Sequence, residues 1–319
     1  MPLPTGDVIG ILADNLRLRE SVLPISKRDA IRWTRGLGLP RGGETVLYTG
    51  MMYQLIPYIE GLVKAVRFLG DTPLAKLTFL ARKINRTVNV SAFMARPSRR
   101  LKAVYNQVPM DVAALLKQAG VEFGCLYEDD LYSGALAHDL GADEVTLEHA
   151  RKVQTVFKKH GIKTAITIDP HTTNMLRSVY PKLLPDWDVQ VKTYLEVLAE
   201  KAPTPVTALT GEVTIHDPCV FARYEGLVDE PRELLRATGL TLKEAEYSGR
   251  MTWCCGGPVE SLYPEKAAAN AAKRVEQLRA ASPEIVTMCP MCLVNLSGAA
   301  PQGTGIRDAS EYLRRAFLS

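Results

Sequence analysis

Apolar residues recur along this chain with two periods. In "EVTIHD", Glu212 to Asp217, and "EIVTMC", Glu284 to Cys289, they crowd into short β-branched runs that predict strands. Between them "PEKAAANAAKRVEQLRAAS" opens with Pro264 at a first helical position and sets Ala268, Ala271, Val275 and Leu278 on one face. Strands and amphipathic helices alternate, which predicts an α/β fold with largely parallel sheets.

The pattern also repeats. "AITIDPHTTNML", Ala165 to Leu176, lies over "IVTMCPMCLVNL", Ile285 to Leu296, each a strand followed by x-Pro-x-x and a segment ending in Asn and Leu. An amphipathic helix precedes each, and "VKTYLEVLAE" and "ASEYLRRAF" follow with Tyr-Leu alike. "GGETVLYTGMMYQLIPYIEG" likewise parallels "TGEVTIHDPCVFARYEG". The expectation is two pseudo-symmetric α/β units, 44–204 and 205–319, joined at the Pro-rich "EKAPTP" and preceded by an arm over residues 1–43.

The two halves differ in their thiols. Five of the six cysteines fall in the last third: Cys219, then after 34 residues Cys254 and Cys255, then after 33 residues Cys289-Pro290-Met291-Cys292. In the first half Met51 or Met52 stands for Cys219, Tyr132 and Ser133 for the adjacent pair, and Asp169 and Thr172 for the last two. Asp129, Asp130, His138, Asp169 and His171 share those first-half loops, but their spacing matches no strong metal motif. Cys125 stands alone and reads as a small core hydrophobe.

Composition narrows the chemistry. A chain of 319 residues with 46% apolar residues and 6 cysteines can build a core without disulfide staples. With no charged-apolar leader and no run of about 18 uncharged apolar residues, the expectation is a cytoplasmic protein without a membrane span. A formal charge of +4 is too small to point to nucleic acid. It is unevenly spread: residues 72–110 hold Lys76, Arg82, Lys83, Arg86, Arg96, Arg99, Arg100 and Lys102 and no acid, within an insertion over about 70–110. That stretch reads either as a surface for an acidic partner or as solvated decoration, and "NLRLRESVLPISKRDAIRW" as a further docking arm.

Each cysteine of the second half falls where a strand ends or a loop begins, the position at which α/β folds place their sites. Thiolates suit zinc, copper(I) or iron–sulfur clusters. A structural zinc ion takes four ligands and leaves a thiol over, a disulfide conflicts with a reducing compartment, and a thioredoxin-like Cys-Pro-Met-Cys leaves three thiols unexplained. A multi-iron cluster spreads the charge of all five. Gly256 and Gly257 would let backbone N–H groups approach sulfur, and Pro290 would open a helix whose positive end faces the site. His216 would donate a proton or a hydrogen bond, or simply cap its strand, while Trp253 is expected to fill core.

"HDPCVFARYEG", "WCCGGP" and "VTMCPMC" together resemble the cysteine-rich CCG domain of heterodisulfide reductase B-type subunits. The resemblance implies that Cys219, Cys254, Cys255, Cys289 and Cys292 ligate a non-cubane 4Fe-4S cluster at which a disulfide is cleaved or formed. Two-motif members hold two clusters; only one motif is intact here, which implies one. It further implies an electron-transfer subunit of a complex, working with a ferredoxin-like iron–sulfur subunit fed by a flavoprotein. Similar domains occur in iron–sulfur subunits of flavin-dependent lactate, glycolate, glycerol-3-phosphate and succinate-type dehydrogenases, which is the second reading; a zinc-holding, non-redox assembly subunit is the third. No Gly-x-Gly-x-x-Gly or Walker-type loop is present, so nucleotide and flavin binding fall to partners.

Overall fold

The computed structural model describes residues 5–70, 85, 95, 97–260 and 262–318. Its strands are all parallel and form two sheets. β1 (Thr45–Tyr48), β2 (Thr164–Thr167) and β3 (Gln190–Thr193) make the first, in the order β1-β2-β3. β4 (Glu212–Ile215), β5 (Thr241–Leu242), β6 (Glu284–Thr287) and β7 (Gly305–Asp308) make the second, in the order β5-β4-β6-β7. Parallel neighbours need long crossovers, and the helices Pro264–Ala281 and Pro290–Ala299 supply those on either side of β6. The last three residues of β1, β2, β4 and β6 are buried in each case, as expected of strands covered on both faces. An α/β fold with parallel sheets is thus what the periodicity predicts and what forms.

The Pro264–Ala281 helix begins with Pro264 at its first turn, but its buried face is Ala267, Ala271, Arg274, Val275 and Leu278. Ala268 is exposed. Residues 267, 271, 274, 275 and 278 follow the three-and-four spacing of one helical stripe, from which 268 is rotated away. The strands also stop two residues short of the predicted runs, so that His216, Asp217, Met288 and Cys289 lie beyond the strand ends.

One apolar core draws on both sheets. The helix Thr5–Arg19 sinks Leu12 and Leu16 into it, and Arg17 grips Glu148 of the helix Asp143–His160 through Nε at 2.7 Å and Nη2 at 3.0 Å. Of the basic insertion, Lys76, Arg82, Lys83, Arg86 and Arg96 lie outside the described residues. Arg99 and Arg100 are exposed at the start of the helix Arg99–Gln118. Lys102 instead turns inward, its Nζ 3.0 Å from Asp29 Oδ2 and 5.0 Å above the Tyr58 ring.

Candidate metal centre

The ends of β4 and β6 aim three loops at one place. After β4, His216-Asp217-Pro218 lead to Cys219, which starts the π-helical turn Val220–Glu225. After β6, Cys289 is the N-cap of the helix Pro290–Ala299, with Pro290 in its first turn and Cys292 one turn in. The segment carrying Cys254 and Cys255 is tied to both neighbours. Asp217 accepts from Gly249 N at 2.6 Å through Oδ2, and its carbonyl accepts from Thr252 Oγ1 at 2.9 Å. Arg223 donates to the carbonyls of Arg250 and Thr252. From the other side Asn270 Nδ2 donates to the Cys254 carbonyl at 2.5 Å.

The five thiols form an unbroken series. Cys219 hydrogen-bonds Cys254, Cys254 contacts Cys255, Cys255 Sγ lies 3.2 Å from Cys292 Sγ, and Cys292 hydrogen-bonds Cys289. None is in a disulfide; Cys219 and Cys254 are half-buried and the other three buried. The sharing of protons splits their acidities. Cys254 is held well below an ordinary thiol, first by Cys219 and then by Cys255, while Cys219 is pushed up by the same contact. Burial works to raise Cys289, yet hydrogen bonds from Cys292 and His171 bring it down to about 5. Cys255 and Cys292 are pushed well above an ordinary thiol, chiefly by their neighbouring cysteines, so thiolate, the form a metal takes, is favoured at Cys254 and Cys289.

The adjacent glycines fit the expectation of close backbone approach. Gly256 N points at Cys254 Sγ at 3.3 Å with φ +82°. A Cβ on Gly257 would meet Met291 Cβ at 3.2 Å and Cys255 Sγ at 3.5 Å. Five sulfurs, a backbone donor, and two buried nitrogens without partners, His216 Nε2 and Arg274 Nη2, make a donor set that fits a thiolate-ligated cluster. His216 is fully buried and driven to about 3 by burial and the Arg274 charge, so it is neutral. One of its ring nitrogens, Cys255 Sγ and Cys292 Sγ lie within 4.8 Å of one another. Trp253 is half-buried rather than core: its Nε1 donates to Asn270 Oδ1 at 2.9 Å and Lys273 sits 4.7 Å over its ring. Cys125 is buried and its thiol raised to about 11 by that burial, consistent with a core hydrophobe.

Two residues enter the site without a cysteine signature. His171, from the short helix Pro170–Asn174 after β2, hydrogen-bonds Cys289 and is held from behind by Asp139 Oδ2, 3.2 Å from Nδ1. Burial opposes its protonation but Asp139 and Cys289 raise its pKa well above the usual imidazole range. Arg274 is the other, detectable only as a charge on an otherwise apolar helix face. Of the other first-half candidates, Asp129 pairs with His160 and Lys159, Asp130 accepts from Thr49 Oγ1 at 3.0 Å, and Asp169 caps the His171 helix, accepting from Thr172 N at 2.9 Å. Among the described residues only His216, Cys255 and Cys292 group as three metal-ligating side chains. Ser133 and Thr172, two of the first-half counterparts of the cysteines, crowd Gly50, where a Cβ would lie 2.3 Å from Thr172 Oγ1 and 3.0 Å from Ser133 Cβ.

Residues 213–297 match the CCG family, described as a cysteine-rich domain, and the chain carries that domain. Its relatives include iron–sulfur proteins. The chain is 32% identical over 216 residues to the probable iron-sulfur-binding oxidoreductase FadF of Bacillus subtilis, covering 65% of this chain and 30% of FadF. It is 29% identical over 230 residues to the EtfAB:quinone oxidoreductase of Syntrophomonas wolfei, covering 67% and 32%. To a subunit of the dihydromethanophenazine:CoB–CoM heterodisulfide reductase of Methanosarcina mazei it is 29% identical over 208 residues, covering 61% and 51%. The chain therefore spans about a third of the first two relatives and about half of the third. Among the described residues no helix is long and apolar enough to cross a membrane.

Proposed function

We propose that this chain is an iron–sulfur oxidoreductase subunit of a heterodisulfide-reductase-like complex, holding one non-cubane 4Fe-4S cluster on Cys219, Cys254, Cys255, Cys289 and Cys292. The observation that carries the reading is the unbroken series of five free thiols in the segments after β4, β5 and β6. When bound, the cluster supplies one-electron chemistry beside sulfur, suited to a disulfide or a thiol-linked sulfur substrate. The half-buried Cys219 and Cys254 would be the thiols that meet substrate or partner, while Cys255, Cys289 and Cys292 are buried. His216 presents a buried ring nitrogen to the sulfurs. Electrons would come from a ferredoxin-like iron–sulfur subunit and a flavoprotein, consistent with relatives named as a reductase subunit and an EtfAB:quinone oxidoreductase. A single cluster is supported by the first-half counterparts Met51 or Met52, Tyr132, Ser133, Asp169 and Thr172, none of which is a thiol.

Anaerobic purification followed by iron, labile-sulfide and EPR analysis tests this. The expected result is about four irons per chain with matching sulfide. Serine at any one of the five cysteines is expected to change the EPR signal or lose iron, since the harder oxygen is a poorer iron ligand. Zinc without iron or sulfide, about eight irons, or one silent serine variant would each overturn the corresponding part.

A further inference from the structure

A buried cation without a carboxylate stands behind the thiols. Arg274 is 0% exposed. Its Nε donates to His216 Nδ1 at 3.2 Å, Nη1 donates to Gln277 Oε1 at 3.1 Å, and Nη2 has no partner. Among the described residues no carboxylate pairs with it. Burying a guanidinium in this way costs several kcal/mol unless an anion faces it. The same unit shows the ordinary solution at Arg232, which grips Asp217 at 2.7 and 2.9 Å and Glu244 at 2.7 and 2.9 Å. Arg274 has no such carboxylate, and Asp217, the acid whose charge reaches it, is already held by Arg232. The other groups that act on it are the thiols of Cys255 and Cys292, which would face it as thiolates when they ligate a metal.

Arg274 also decides how His216 is protonated. A guanidinium N–H can only donate, so Nδ1 of His216 accepts and the ring proton resides on Nε2. That nitrogen is buried and without a partner. With Nδ1 engaged, Nε2 is the ring atom free to meet the sulfurs of Cys255 and Cys292, which lie within 4.8 Å of a His216 nitrogen.

We propose that Arg274 is a positioning residue and the built-in counter-charge of the cluster: its charge faces the thiolates, and its hydrogen bond to His216 Nδ1 directs an Nε2–H donor at a cluster sulfur. This rests on the iron–sulfur reading above. A cation and a hydrogen bond beside thiolates both favour the reduced state, because reduction adds negative charge there.

The test uses the full chain purified anaerobically with its cluster, and redox titration followed by EPR. Arg274→Met is expected to lower the reduced-to-oxidised ratio at a fixed potential at least tenfold, a shift of about 59 mV to more negative midpoint for one electron. Arg274→Lys, which keeps the charge, is expected to recover most of that shift. In deuterated water the wild type should show hyperfine couplings to exchangeable deuterons, of which the one from His216 is lost in His216→Leu while that of the Gly256 amide beside Cys254 stays. Iron-loaded Arg274→Met with the wild-type midpoint overturns the inference while leaving the cluster reading intact. Wild-type protein without iron and sulfide overturns both. Should Arg274→Met not fold, an unchanged set of deuteron couplings in His216→Leu overturns the inference by itself.

Discussion

Two buried aspartates show how much a partner decides. Asp217 is gripped by Arg232 and by the Gly249 amide, whereas Asp130 has only Thr49 on Oδ2 and nothing on Oδ1. Burial therefore raises Asp130 to about 7, against the smaller pull of its Thr49 hydrogen bonds. In the unfolded chain the same group titrates near about 3.9. Below pH 4 both states are protonated and nothing is lost. Between about pH 4 and 7 the folded state holds a proton that the unfolded state has released, so stability falls as pH rises and levels off above 7. Asp130→Asn keeps the shape without the charge. Its stability relative to wild type is expected to rise over that window by on the order of 2–4 kcal/mol, read from urea unfolding of the metal-free chain at pH 4 to 8. Wild type and variant running parallel across the window would show that Asp130 finds a partner or water.

At the scale of the element, the Cys-Cys-Gly-Gly loop is shaped by the helix it lies against. Gly256 has φ +82°, and a Cβ there would sit 2.9 Å from the Ala267 carbonyl oxygen and 3.0 Å from Ala267 Cα. Backbone cannot yield as a side-chain tip can. Gly256→Ala is therefore expected to cost about 1–2 kcal/mol from the left-handed conformation, with the clash in addition, and to lower both thermal midpoint and iron content. Normal iron loading and an unchanged midpoint would mean that loop and helix separate freely. Much of this arrangement was legible: Cys219 stands just past one predicted strand and Cys289 at the end of the other, Pro264 opens its helix, and Pro290 sits in the first turn after Cys289. Those signals are local. What escaped the sequence is pairing across distance: Arg274 meets His216 over 58 residues, and His171 reaches Cys289 from the other half. Neither contact leaves a periodic mark, and a charged residue on a buried face can be read only as an anomaly. The π-helical turns Met175–Val179 and Val220–Glu225 escaped for a similar reason, since their register follows from packing around site residues.

Across the whole molecule, the half that carries the five clustered thiols is completed by the other half. Tyr53 donates to Asp308 at 2.6 Å in the interior. Asn174 and Ser178 donate to Glu225 at 2.8 and 3.0 Å, clamping the turn that follows Cys219. Arg314 Nε lies 3.3 Å from Asp111, His171 holds Cys289, and one apolar core includes residues of both halves. Cutting the chain at 204/205 would expose that core and strand Asp308 and Glu225, each stranded group costing about 1–3 kcal/mol. Against the 5–15 kcal/mol typical of a whole domain, that loss is decisive. Residues 205–319 expressed alone are therefore expected to aggregate or to lack cooperative unfolding, and to hold little iron although all five thiols are present. Supplying residues 1–204 in the same cell should restore soluble, iron-bearing protein. A lone fragment with full iron content, a native EPR signal and a sharp unfolding transition would show that the first half is dispensable to the site.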